Sequence, residues 1–200
     1  MPVARLPESI TPAQFFEEWL PAQAPALALK PARNLNVRVE LSGDDGGVWE
    51  LKVTDAGLTT GRGNGAADQA DVTIRQSVAD WRAVVAGEPG AVNLAPARSS
   101  PTDLLFIDRA AQQVLSTVRG QVRFEVTGFN GRTWEATVAF GQGAAKDQPD
   151  ATISVDAETY AAMQARTLPA PQAYFQGKIR ISGDANLAMQ LGMAMMSRYS

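Results

Sequence analysis

Apolar and polar residues alternate along residues 37–53: Val37, Val39 and Leu41 are separated by Arg38 and Glu40, and Trp49, Leu51 and Val53 by Glu50 and Lys52. A period of two is that of a strand with one buried face, so this stretch predicts two strands. Asp45-Gly46 between them signals a hairpin. A two-residue turn would set Leu41 opposite Glu50, so matching the apolar faces requires an odd loop. Three residues, with Gly46 left-handed, would suffice. Five are favoured, because they face Glu40 with Lys52 instead of Glu50 and avoid like charges across the pair.

The pattern returns at an offset of 85: VRVELSGDDGGVWELKV at 37–53 becomes VRFEVTGFNGRTWEATV at 122–138, with Asn130-Gly131 at the turn. GAADQADVTI at 65–74 likewise matches GAAKDQPDATI at 143–153. The chain therefore reads as two copies of one unit. Each copy continues into a third strand, Val72–Ile74 or Ala151–Ile153, and then into a helix. Ser77 with Asp80 caps the first of these helices and Asp156 the second. Before the hairpins, Thr11-Pro12-Ala13-Gln14 is a capping box that opens a helix through Phe15, Phe16 and Trp19, and Ser100-Pro101-Thr102-Asp103 has the same form. Residues 88–100, rich in Pro, Gly and Ser, read as a linker. These elements predict an α+β protein in two domains, 1–100 and 101–200, with helices packed on a sheet. The second copy alone carries a tail: a strand at Lys178–Ile181, a turn at Ser182-Gly183, and a last helix capped by Asp184.

Composition narrows the chemistry. The chain has 200 residues and neither Cys nor His. That excludes disulfides, thiolate and imidazole metal sites, cysteine nucleophiles and a Ser-His-Asp triad. A net charge of −3 argues against nucleic acid as a partner. No run approaches the roughly 18 apolar residues of a membrane span, and the N-terminus shows no secretory signal, so the expected location is cytoplasmic. No cofactor and no metal site are expected. The repeated pairs Glu40/Glu50 and Glu125/Glu135 would suit acid–base hydrolysis, but their alternation with apolar residues places them on a solvated sheet face. Gly61-Arg62-Gly63-Asn64-Gly65 has neither dinucleotide nor P-loop spacing and reads as a strand connection. Asp68/Asp71 and Asp147/Asp150 lack calcium-loop patterns and read as turn formers. Lys178 reads as a solvated edge-strand lysine.

Pro171-Gln172-Ala173-Tyr174-Phe175-Gln176-Gly177-Lys178-Ile179-Arg180-Ile181-Ser182-Gly183-Asp184, followed by Leu187-Ala188-Met189, resembles the C-terminal signature of the sterol carrier protein type 2 family. The Gly131–Trp134 hairpin and Asp150–Asp156 resemble that family's middle. The likeness covers residues 104–198, with a weaker, degenerate copy over 11–87. It implies helices over a five-stranded antiparallel or mixed sheet, present here as an internal repeat and enclosing an apolar tunnel. It also implies a non-catalytic, lipid-binding carrier of a sterol, fatty acid, acyl-CoA or phospholipid, with transient membrane contact and a partner enzyme as further associations. By position, Tyr174, Phe175, Ile179, Ile181, Leu187, Met189, Leu191, Met193 and Met196 become candidate tunnel lining, with Trp134, Phe140 and Tyr160 as walls. The alternatives are a structural or interaction module with a closed pocket, acting as partner of a larger enzyme, and a carboxylate-based hydrolase. A flexible, methionine-rich wall suits ligands of varied shape.

Overall fold

The computed structural model describes residues 9–27, 33–64, 69–85, 116–141 and 146–196, with side chains as far as residue 25 in the first stretch and 191 in the last. The expected linker at 88–100, the Ser100–Asp103 capping box and Asp68 lie outside the described residues. The strands are β1 (Leu35–Ser42), β2 (Gly47–Thr54), β3 (Gly57–Arg62), β4 (Val72–Ser77), β5 (Gly120–Phe129), β6 (Arg132–Phe140), β7 (Ala151–Asp156) and β8 (Ile179–Gly183). The helices are α1 (Pro12–Gln14), running through a π-turn at Phe15–Trp19 into α2 (Leu20–Leu27), then α3 (Val78–Val85), α4 (Ala157–Gln164), α5 (Ala170–Phe175) and α6 (Ala185–Met196). No helix among the described residues is long and apolar enough to cross a membrane.

All eight strands form one sheet, in the order β3-β2-β1-β4-β6-β5-β7-β8. The expectation of a five-stranded sheet is thereby corrected. β4 uses its second edge to pair antiparallel with β6, Val72 opposite Phe140 and Ile74 opposite Val138, and so the halves share one sheet. The sheet is mixed: β1 runs parallel to β4 and β5 parallel to β7. Val37 lies opposite Val72 and Val39 opposite Ile74, and in the second half Val122 lies opposite Ala151 and Phe124 opposite Ile153. β3 has no counterpart among the strands expected from the sequence, where only Gly61–Gly65 reads as a connection; Leu58-Thr59-Thr60-Gly61 is too short to establish a period of two.

The hairpins meet the face-matching requirement in two ways. The first has a five-residue loop, Ser42–Gly46, between Leu41 and Gly47. Its register faces Arg38 with Glu50 and Glu40 with Val48, so the expected Glu40–Lys52 pair does not form. Arginines take its place: Arg38 Nε donates to Glu40 Oε1 at 2.7 Å and its Nη1 to Glu50 Oε1 at 3.3 Å, and Arg75 Nε donates to Glu40 Oε2 at 2.7 Å, so two cations balance the two carboxylates. Gly46 is required there by space, since a Cβ would sit 2.4 Å from the Leu41 carbonyl oxygen. The second hairpin turns in two residues, Asn130 and Gly131, both at positive φ (49° and 76°), the geometry of a type I′ turn. A register shift between Val126 and Phe129 restores the faces, and it leaves Glu125 opposite Glu135.

Alternation across these registers gathers the apolar side chains on one face. The first half covers that face with α1, the π-turn, α2 and α3. Thr11 and Gln14 form the expected capping box, and Thr60 Oγ1 donates to the Phe16 carbonyl beside the π-turn. Phe15, Phe16, Leu20, Trp49 and Leu51 are completely buried, and Phe16 stacks on Trp49 at 5.0 Å between centroids. Trp49 Nε1 donates to Glu17 at 2.9 Å, whereas the buried Nε1 of Trp19, packed against the same core, has no hydrogen-bond partner.

The opposite face is polar, with Arg38, Glu40, Glu50 and Arg75 in the first half and Arg123, Glu125 and Glu135 in the second. Glu40 and Glu50 lie there as expected, among arginines. A second link between the halves is Asp80, near the start of α3. It pairs with Arg132, accepts from Ser77 Oγ at 2.8 Å, and its carbonyl accepts from Trp134 Nε1 at 2.8 Å.

Candidate functional site

The elements of the second half are fixed by a few polar anchors. Asp156 caps α4, accepting from Thr159 N at 2.7 Å, and Asp184 caps α6, accepting from Asn186 N at 2.9 Å and Leu187 N at 3.1 Å. Asp150 ties β7 to β5: its carboxylate accepts from Gln121 N at 2.9 Å and from Lys146 at 2.8 Å. The glycines of the tail have separate reasons. Gly177, at φ 70°, ends α5, with its own N–H bonded to Tyr174 O and that of Lys178 to Ala173 O, a Schellman cap. Gly183, at φ 81°, also lets Asp150 O approach to where a Cβ would be only 2.3 Å away. Asp184 N then donates to that same carbonyl at 2.8 Å and sets the start of α6.

On the helix-covered face, the described residues of the second half form two small buried clusters. At one end Val118, Val122, Phe140 and Ala151 pack under Leu187 and Leu191 of α6. At the other, Val126, Phe129 and Val155 pack with Ala83 of α3, against half-buried Trp134, Tyr160, Met163 and Ile179. A row crosses the strands, with Phe124, Ile153 and Val138 packed against the first cluster and Ile74 against the core of the first half. Ile181 pairs with Ile153, Ile153 with Phe124, and Phe124 with Ala136; beside it Val138 pairs with Ile74. Ile181, Ile153, Phe124, Val138 and Ile74 are all half-buried. From β8 to β4 this row spans about 19 Å at ~4.8 Å per strand.

The sequence-derived candidates separate accordingly. Phe140, Leu187 and Leu191 lie in the first cluster; Trp134, Tyr160 and Ile179 border the second; Ile181 is in the row. Tyr174, Phe175 and Met189 are at the surface, 51%, 85% and 60% exposed, outside both clusters. The side chains of Met193 and Met196 lie outside the described residues. Phe124, Ile153 and Val138 were not singled out in the sequence. Their signal was strand parity: each shares a face with residues two positions away that are buried.

On the polar face, burial pushes the Glu40 carboxyl up, but hydrogen bonds from Arg38 and Arg75 outweigh it and hold the group below its ordinary value. Asp150 is lowered by Lys146 and the Gln121 N–H, and Asp156 by the Thr159 N–H. A cleft of ≈ 500 Å³ on this side is lined by Glu40, Arg75, Asp80, Arg123, Glu135 and Thr137 among others, and one of ≈ 90 Å³ lies by Asn36, Leu51 and Gln69. Neither is lined by any of the ten candidates whose side chains are described. Among the described residues no three Asp or Glu side chains gather as a metal site would require.

The profile of the SCP-2 sterol transfer family matches residues 102–196. Through that half, the chain belongs to this family. The matched stretch agrees within two residues at each end with the likeness read from the signature, while residues 11–87 lie outside it. Among solved structures, the chain is similar to a sterol carrier protein 2 like protein from Aedes aegypti (31% identity, 37% of this chain and 71% of that one, TM-score 0.28). It is also similar to sterol carrier protein domain 2 of Helicoverpa armigera (26% identity, 44% and 76%, TM-score 0.34). A sec-alkylsulfatase from Pseudomonas sp. aligns over 92% of this chain and 16% of its own at 13% identity, TM-score 0.20. No curated protein matches in sequence.

Proposed function

We propose that this SCP-2 family chain is a non-catalytic lipid carrier and that its second half, residues 101–200, holds one apolar chain against the row Ile181–Ile153–Phe124–Val138. The observation that carries this is the half-burial of that row, a floor of large apolar side chains bordering the Leu187–Leu191 cluster. Covering it with a ligand chain removes apolar surface from water, about 0.8 kcal/mol per CH₂, with no specific polar contact needed. Leu187 and Leu191 of α6 form one wall; Tyr160, Trp134 and Ile179 form the other.

The first half is a degenerate copy that extends the sheet and binds no lipid. The matching registers of β1 with β4 and β5 with β7 support a copy, as does the shared hairpin. Phe15, Phe16 and Trp49 fill the equivalent face with protein. The ligand class is a sterol, fatty acid, acyl-CoA or phospholipid, and the place of action is the cytoplasm.

Native mass spectrometry of freshly purified protein, with titration of a fluorescent fatty acid, tests the reading. One lipid per chain is expected, and Ile153→Trp, which fills the floor, lowers affinity at least about tenfold while circular dichroism stays native. A protein that carries no lipid and takes up neither fatty acid nor sterol would refute it.

A further inference from the structure

α3 is buried on two sides. Val78, Trp81 and Val85, at helical spacing, face the core of the first half. Asp80, Ala83 and Val84, at the same spacing, face the second half. Ala83 is completely buried with Val126, Phe129 and Val155, and half-buried Val84 packs against that cluster. Asp80 fixes the approach: it pairs with Arg132, and its carbonyl accepts from Trp134 Nε1 at 2.8 Å. A helix that serves one core alone keeps a polar outer stripe. In α3 that stripe is turned to the other half, although the helix lies outside the stretch 102–196 that the SCP-2 profile matches.

The place of this helix follows from β4. Val78 comes directly after Ser77, the last residue of the strand, and α3 packs on β4, β1 and β6. The half-buried row runs from Ile181 on β8 to Ile74 on β4, so α3 stands where the row meets the first half. Ile74 itself packs against the core that contains Val78 and Trp81. An apolar chain laid along the row from β8 therefore meets α3 once it has crossed β6.

We propose that α3 of the first half is the end stop of the second half's lipid seat, and that Val84 sets the longest chain the seat accepts. This rests on reading the row as the lipid seat. Ala83, with no room for a larger side chain, permits the close approach, and Val84 presents an apolar surface that a ligand can still cover. The first half thereby has a role in carriage. Its own face is filled by Phe15, Phe16 and Trp49, and it limits the chain that its neighbour holds.

Titration of the full chain with lauric, myristic, palmitic and stearic acids, read by displacement of a fluorescent fatty acid, tests this. Affinity should rise along the series while each added CH₂ finds floor to cover, and level off where the chain reaches α3. In Val84→Phe the ring takes the place of about two CH₂ groups, so stearic acid should weaken about tenfold relative to lauric acid. Val84→Ala should move the levelling-off to longer chains. Val85→Ala, on the stripe turned to the first core, should lower Tm and leave the chain-length profile unmoved. That control separates limiting the chain from holding α3 in place. Circular dichroism checks that the variants fold, and Val84→Ala carries the test if Val84→Phe does not. Fatty acids bound with a profile that the Val84 variants leave unmoved, or weakened equally at every length, overturn the end stop while lipid carriage stands. A wild-type chain that takes up none of the four acids also overturns it, and lipid carriage falls only if sterol is refused as well.

Discussion

Gly177 and Gly183 both lie at positive φ in the signature tail, yet alanine should affect them very differently. At Gly177 nothing lies within 4 Å of the new Cβ, so Gly177→Ala bears only the conformational cost of the left-handed region, about 1 kcal/mol. At Gly183 the same cost applies, and the Cβ would sit 2.3 Å from Asp150 O and 3.1 Å from Ala151 Cα. Both neighbours are backbone and cannot swing aside. The β7–β8 pairing must shift where Ala151 faces Gly183, and the 2.8 Å bond from Asp184 N to Asp150 O weakens with it. A strained hydrogen bond and a displaced pair add roughly 2 kcal/mol, for a total near 3 kcal/mol. Urea and thermal unfolding followed by far-UV circular dichroism would read this. The expected loss in Tm is about 6–12 °C for Gly183→Ala against about 2–4 °C for Gly177→Ala. Equal losses, or a larger loss at Gly177, would refute the argument that close approach of Asp150 is what selects glycine at 183.

Phe16→Ala should destabilise by about 3–5 kcal/mol in urea while leaving fatty-acid affinity unchanged in the protein that remains folded, because the ring is buried in the first half only. Asp80→Ala removes the Arg132 partner and the acceptor of Ser77 Oγ, and should cost about 2 kcal/mol in the same assay, with Asp80→Asn costing less. Acid titration has a definite sign. Glu40, Asp150 and Asp156 are held below their ordinary values in the fold, so the folded chain binds fewer protons than the unfolded one. Their stabilisation is complete above the unfolded carboxylate values, near 4, and is lost as pH falls through the lower folded values. The urea midpoint should therefore hold between pH 7 and 5 and drop below about pH 4, and Glu40→Gln should reduce that drop.

Several features were fully local and so legible in the sequence. A period of two assigns residues to the faces of a strand whatever its neighbours are, so Val37/Val39/Leu41 and Glu40/Glu50 fell on the expected sides. Caps are legible for the same reason: Thr11, Ser77, Asp156 and Asp184 bond to backbone within three residues. The tail motif likewise combines a Schellman glycine with a close-approach glycine.

Strand order was beyond reach, because a backbone edge carries no residue code. Only the fold could join β4 to β6 and turn two expected sheets into one. Register was underdetermined too. Parity required face matching, but the first hairpin met it with a five-residue loop and the second with a two-residue turn and a bulge. Exposure was decided last. The tail's spacing makes Tyr174 and Phe175 as apolar as Leu187 and Leu191, yet one pair is displayed at the sheet edge and the other is buried against β5 and β7. What differs is the packing of α5 and α6 on the sheet, a property of three-dimensional neighbours that no single stretch of sequence contains.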